Sequence, residues 1–152
     1  MRKWIFFIFV IVLAFVLKVA AQEIDSVWVT PLNSKIGTYT LYELTFTSPD
    51  TIGQNARFSL TFPPEFDLSM VSLAGSNTMN GGFSVTVKDS IIEIGRKGEG
   101  KPAYPGNKLN LLFSVVKNPD KADNNYLVLF RILDIFGNAV SSTQSKPVVI
   151  VN

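Results

Sequence analysis

The stretch Ala56-Arg-Phe-Ser-Leu-Thr-Phe62 alternates without a fault: Ala56, Phe58, Leu60 and Phe62 fall on one side, Arg57, Ser59 and Thr61 on the other. Successive side chains of a strand point to opposite faces, so a period of two with one apolar side predicts a half-buried β-strand. The same period recurs downstream. Phe83, Val85 and Val87 alternate with Ser84, Thr86 and Lys88, and Leu109, Leu111, Phe113 and Val115 alternate with Lys108, Asn110, Leu112 and Ser114. Tyr126, Val128, Phe130 and Ile132 form one face of a segment whose other face (Leu127, Leu129, Leu133) is nearly as apolar, as in a central strand covered on both sides. Within residues 38–47 the apolar phase changes from Tyr39 and Leu41 to Tyr42, Leu44 and Phe46, which predicts a bulge near Leu41 and Tyr42. Shorter strands are expected at 26–30, 90–94 and 147–151, the last with Pro147 at its first position and pairing beside 127–133 or beside the N-terminal segment.

Turn residues punctuate these runs: Ser48-Pro-Asp50, Pro63-Pro64, Asn80-Gly-Gly82, Pro105-Gly-Asn107, Asn118-Pro-Asp120 and Phe136-Gly-Asn138. No window after the leader shows a capped helical period. Roughly seven to nine short strands with turns between them predict an all-β sandwich, and the missing crossover helices exclude a parallel α/β fold.

The first residues read differently. Arg2 and Lys3 precede fourteen residues without a polar side chain (Trp4 to Leu17), followed by Lys18-Val-Ala-Ala21. A basic start, an apolar stretch of this length and a Val-x-Ala site predict a secretory signal peptide over 1–21, with residues 22–152 as one exported domain. As a helix the apolar stretch covers roughly 21 Å, short of a bilayer core, although retention as an anchor is the competing reading. Cleavage removes Arg2, Lys3 and Lys18. The formal net charge then moves from +2 to −1, with 11 basic against 12 acidic residues. A basic surface for nucleic acid is not expected, and no membrane span remains in the mature form.

Composition narrows the chemistry further. The 152 residues include no His and no Cys. That removes an imidazole base, a thiolate nucleophile, an ordinary zinc site and any disulfide framework. The expectation is a protein that is not an enzyme and needs no cofactor. Absence of cysteine and of any Asn-x-Ser/Thr acceptor in an exported chain leans towards a bacterial envelope.

Several motifs carry a resemblance to modules of one class. Gly37-Thr-Tyr-Thr40, then Ala56 to Phe62 running into Pro63-Pro-Glu-Phe-Asp-Leu68, resembles their strand and Phe-Pro turn. Tyr104-Pro-Gly106 before an alternating strand, Val116-Lys-Asn-Pro119, and the Asp134-Ile-Phe-Gly-Asn-Ala-Val140 hairpin are similar to segments of the same modules. Asp123-Asn-Asn-Tyr126 resembles the tyrosine corner of Greek-key sandwiches. The resemblance is to modules of bacterial surface proteins, and it implies an immunoglobulin-like Greek-key β-sandwich in a secreted or cell-surface protein of adhesin or S-layer type. It implies no activity.

Candidate contact residues follow from composition and placement. The loop Gly95 to Gly106 carries Arg96, Lys97, Lys101 and Tyr104 among glycines and prolines, suiting either a mobile binding loop or a flexible connection. Trp28, out of phase with Val27 and Val29, is expected on the outer side of an edge strand, to stack on sugar or to pack under a loop. Oxygen-bearing residues in 118–125 (Asn118, Asp120, Asp123, Asn124, Asn125) suggest calcium or a plain Asx-rich turn. Glu65 and Asp67 flank one corner, but neither carries a sign of glycosidase chemistry. The expected function is a non-catalytic structural or interaction module of the cell envelope, with a protein or envelope glycan as partner. A carbohydrate-binding module is the alternative, and it requires coplanar exposed aromatics drawn from Trp28, Tyr39, Tyr42 and Tyr104.

Overall fold

The structure is a computed structural model that describes residues 24–152, so the expected leader and the new N-terminus at Gln22 lie outside the described residues. Eleven strands follow one another with no helix among the described residues: β1 (Asp25–Pro31), β2 (Tyr39–Thr47), β3 (Arg57–Thr61), β4 (Leu73–Gly75), β5 (Phe83–Lys88), β6 (Ile91–Arg96), β7 (Lys108–Lys117), β8 (Asp123–Tyr126), β9 (Leu129–Leu133), β10 (Ala139–Gln144) and β11 (Val148–Ile150). One sheet has the order β1-β2-β7-β4, the other β10-β9-β3-β6-β5, and β8 pairs with β11 in a short ribbon. Every strand pair in these sheets is antiparallel.

The apolar halves of the alternating strands meet between the two sheets. Phe46 of β2 contacts Phe58 of β3 and Phe130 of β9 at ring-centroid distances of 5.7 and 4.9 Å. Tyr42 and Phe113, from β2 and β7, meet Phe62 just beyond β3 at 5.8 and 6.2 Å. Leu44, Leu60, Ile92, Ile94 and Leu111 fill the space between, all fully buried. Tilted and edge-to-face aromatic contacts of this kind add to the area they bury, and this core holds the fold without disulfides.

Three local readings change. β2 alternates regularly, with Thr40, Tyr42, Leu44 and Phe46 inward and Tyr39 and Leu41 outward, so it has no phase slip. The extra residue belongs to its partner: Thr40 faces Val116 and Tyr42 faces Phe113, so β7 spends three residues where β2 spends two. Val116 rather than Val115 therefore enters the core. The expected strand over 126–133 keeps its inward face but splits, because the chain leaves the β8–β11 ribbon and joins the five-stranded sheet at Leu127 and Val128. Ser145 fills that break: its hydroxyl accepts from Val128 N at 3.1 Å, and its own N–H donates to Val128 O at 2.8 Å. The tyrosine corner is present, with the Tyr126 hydroxyl donating to Lys121 O at 3.1 Å.

Candidate interaction surface at the loop end

One end of the sandwich gathers four connections: 48–56 between β2 and β3, 76–82 between β4 and β5, 97–107 between β6 and β7, and 134–138 between β9 and β10. Arg96 is the last residue of β6, two positions on from Ile94 and four from Ile92, so it shares their inward face. It is 5% exposed. Nη1 donates to the carbonyls of Ile52 (3.2 Å) and Gly53 (2.8 Å), and Nη2 to those of Asn80 (3.1 Å) and Lys101 (2.7 Å). One guanidinium thus ties three loops together, and burial pulls its pKa down from the usual guanidinium range. Its Nε is buried with no partner among the described residues. The expectation that Arg96 offers its charge to a ligand is corrected: the planar fork is spent on backbone inside the protein.

Further bonds lock the same loops. Ile52 and Ala103 exchange both backbone bonds, Gly98 N donates to Gln54 O at 3.1 Å, and Lys97 N donates to Gly82 O at 3.0 Å. Asn80 Oδ1 accepts from Lys101 N at 2.8 Å, and Gln54 Nε2 donates to Gly100 O. Gly81 and Gly100 have φ of +99° and +86°. A Cβ on Gly81 would strike the carbonyl of Glu99, and one on Gly100 the carbonyl of Asn80. These glycines permit close backbone approach, so the segment is a pinned loop rather than a mobile one.

From this frame Lys97, Lys101 and Tyr104 point to solvent, Tyr104 with two thirds of its surface exposed. The neighbouring 134–138 turn adds two side chains that sequence reasoning passed over. Ile135 is exposed, and Phe136 is 82% exposed. Asp134 holds the turn: its carboxylate accepts from Phe136 N (2.8 Å), Asn138 N (2.9 Å) and Asn138 Nδ2 (3.0 Å). Bonds from the Asn138 side chain and backbone, then from Phe136 and Gly137, hold its pKa below the usual carboxylate range. The signal was available, since the turn motif leaves its two central positions free and this chain fills them with Ile and Phe.

The opposite end is organised differently. Asn118 is fully buried; its Nδ2 donates to Asn33 O (2.9 Å) and Lys35 O (2.7 Å), and its Oδ1 accepts from the Tyr42 hydroxyl at 2.6 Å. Burial pushes the Tyr42 phenol above its ordinary range. Two candidates are settled by this. Asn118 is committed to backbone rather than to a cation, and Tyr42 is a core residue, unavailable to a sugar platform. In the adjoining turn Asp123 Oδ1 accepts from Asn125 N at 3.0 Å, and Asp120 pairs with Lys117 at 3.1 Å. Among the described residues no three acidic side chains converge as a metal site. Trp28 and Tyr39 share the outer face of the four-stranded sheet. Trp28 lies opposite Thr45, six residues along β2 from Tyr39, about 20 Å apart, so the two do not form one platform.

Comparison with protein families finds no match, and comparison with curated proteins finds none. Solved structures do resemble this one. A cohesin module from a Clostridium perfringens family 33 glycoside hydrolase matches with a TM-score of 0.54 at 14% identity, covering 85% of this chain and 98% of that one. Part of a Vibrio harveyi GH20 exo-β-N-acetylglucosaminidase matches with a TM-score of 0.50 at 15% identity, covering 86% of this chain and 19% of that one. A non-cellulosomal cohesin from the archaeon Archaeoglobus fulgidus gives 0.47 at 15% identity, over 84% and 93% of the two chains. At these identities the likeness is one of fold: the chain is an immunoglobulin-like β-sandwich, the fold of that Clostridium cohesin module.

Proposed function

We propose that this protein is a non-catalytic interaction module of the cell envelope, exported by its leader, that grips a protein partner with its loop end. The observation that carries the reading is the Arg96-pinned frame, which holds Lys97, Lys101 and Tyr104 at the same end of the sandwich as the exposed Ile135 and Phe136. Exposed aromatic and aliphatic side chains with cations around them suit an interface core and its rim, and a pinned backbone lowers the ordering cost of binding. The cohesin likeness supports a binding module, since the Clostridium counterpart is itself a module of a larger enzyme. The residue inventory offers no imidazole or thiol for catalysis.

Two measurements test it. Cell fractionation with mass spectrometry should place the product in the envelope or medium with Gln22 as its first residue; a cytoplasmic product with an intact leader overturns export. A photo-crosslinker at Tyr104 or Phe136, installed in cells, should capture a discrete protein species that the same probe at Thr86, on the exposed sheet face, does not. Equal capture from Thr86, or none from the loop end, overturns the binding surface.

A further inference from the structure

A second surface lies away from the loop end, between β1 and β11, and owes nothing to the reading above. β1 is the outer strand of its sheet, and the segment containing β11 runs beside it in the same direction. The two are tied near both ends. Lys146 N donates to Val27 O at 2.7 Å, Val151 N donates to Ser34 O at 2.8 Å, and Ile36 N donates to Val151 O at 2.9 Å. Between these ties Pro31 and Pro147 contribute no N–H, and a groove of about 310 Å³ opens.

The groove has one aromatic wall and a polar rim. Trp28, the single tryptophan among the described residues, lines it while half exposed. Pro31, Pro147 and Val149 complete the apolar side, and Thr30 and Ser34 bring hydroxyls that make no hydrogen bond to the described protein. None of the lining residues is charged. An indole held on a strand, with hydrophobic flanks and two unspent hydroxyls, has the makeup of a small-ligand site: mostly apolar, with few polar groups to fix orientation.

We propose that this groove, whose one aromatic suits a single stacked ring and not the platform of several aromatics excluded above, binds one ring of a neutral glycan. The C–H face of a pyranose stacks on Trp28, and its hydroxyl edge exchanges hydrogen bonds with Thr30 and Ser34. A sugar ring has this same division into one apolar face and a hydroxylated rim. A lipid chain would leave both hydroxyls unused, and an added peptide strand would lack the donors that Pro31 and Pro147 cannot supply.

The test uses the full chain carrying Trp4→Phe, so that Trp28 is its only tryptophan. Fluorescence is followed while methyl glucoside, methyl galactoside or N-acetylglucosamine is added up to about 50 mM, the range for a weak single-ring site. At least one sugar should give a saturable change in Trp28 emission. The surface double variant Thr30→Val with Ser34→Ala, checked for folding by circular dichroism, should weaken binding about tenfold. Tyr104→Ala with Phe136→Ser should leave it unchanged, which separates this site from the loop end. No saturable change with any sugar, an undiminished response in the hydroxyl double variant, or saturation only by an extended proline-rich peptide would overturn the proposal.

Discussion

The two ends of the sandwich solve one problem with different chemistry. Each holds its loops through a single buried side chain that donates to backbone carbonyls, Arg96 to four at one end and Asn118 to two at the other. Asn118 is neutral and satisfied, its oxygen engaged by the Tyr42 hydroxyl. Arg96 is charged, faces no carboxylate and leaves its Nε unpaired among the described residues. A buried charge is costly to place and costlier to strand, so the Arg96 end is the one where a small change releases the most structure. It is also the end that displays Tyr104, Ile135 and Phe136. There one charged side chain is the hub to which further backbone bonds are added, whereas the Asn118 end shares its hold with the aromatic core.

Breaking the charged staple should have the largest effect. Arg96→Ala removes one donor from each of four carbonyls, of which Ile52 and Gly53 keep a backbone donor while Asn80 and Lys101 lose the guanidinium that caps them, and is expected to destabilise the fold by about 3–5 kcal/mol in urea denaturation. Arg96→Lys should recover only part of this, because an ammonium cannot reach three loops with a planar fork. The neutral staple is weaker. Asn118→Ala should cost about 2–3 kcal/mol and Tyr42→Phe about 1 kcal/mol, with the double variant costing less than the sum because both changes remove the same bond. An Asn118→Ala effect larger than that of Arg96→Ala would reverse the comparison.

The smallest effect is the Asp134 turn, where acid sharpens the contrast between the ends. The folded carboxyl is held below its ordinary value, so its contribution is complete above the unfolded pKa and fades as pH falls through the lower folded one. Protection of the Phe136 and Asn138 amides against exchange, taken relative to the intrinsic rate at each pH, should therefore fall below about pH 4, while the bonds made by Asn118, which does not titrate, keep theirs. Equal protection of the turn at about pH 2 and pH 5 would show that the carboxylate does not hold it.

Much of this was legible from alternation alone. The faces of Trp28, of Phe58 to Phe62 and of Tyr126 to Ile132 follow from a period of two, and the tyrosine corner follows from its motif. Arg96 was legible too: Ile92, Ile94 and Arg96 share one parity, but its charge and glycine-rich surroundings suggested a solvent loop. The bulge in β7 was hidden because valine stands at both parities there, Val115 in phase with Leu109, Leu111 and Phe113 and Val116 out of phase with them, so either phase satisfies the pattern. Tyr42 was placed on the right strand but offered as a surface aromatic, since only the fold shows that Asn118 receives its hydroxyl. Short β4 and β8 carry too few residues for any period to register.

The parallel course of β1 and the β11 segment also sets how the domain bears mechanical load. Tension applied at residue 24 and residue 152 pulls the two neighbouring strands in opposite directions along a shared axis. The ties from Lys146 to Val27 and from Val151 to Ser34 then lie across the pull and are loaded together in shear, instead of opening one at a time like a zipper. Forced unfolding is set by the rate of that first rupture, so a modest set of bonds placed at both ends of the terminal strands can give the module long endurance under stretch.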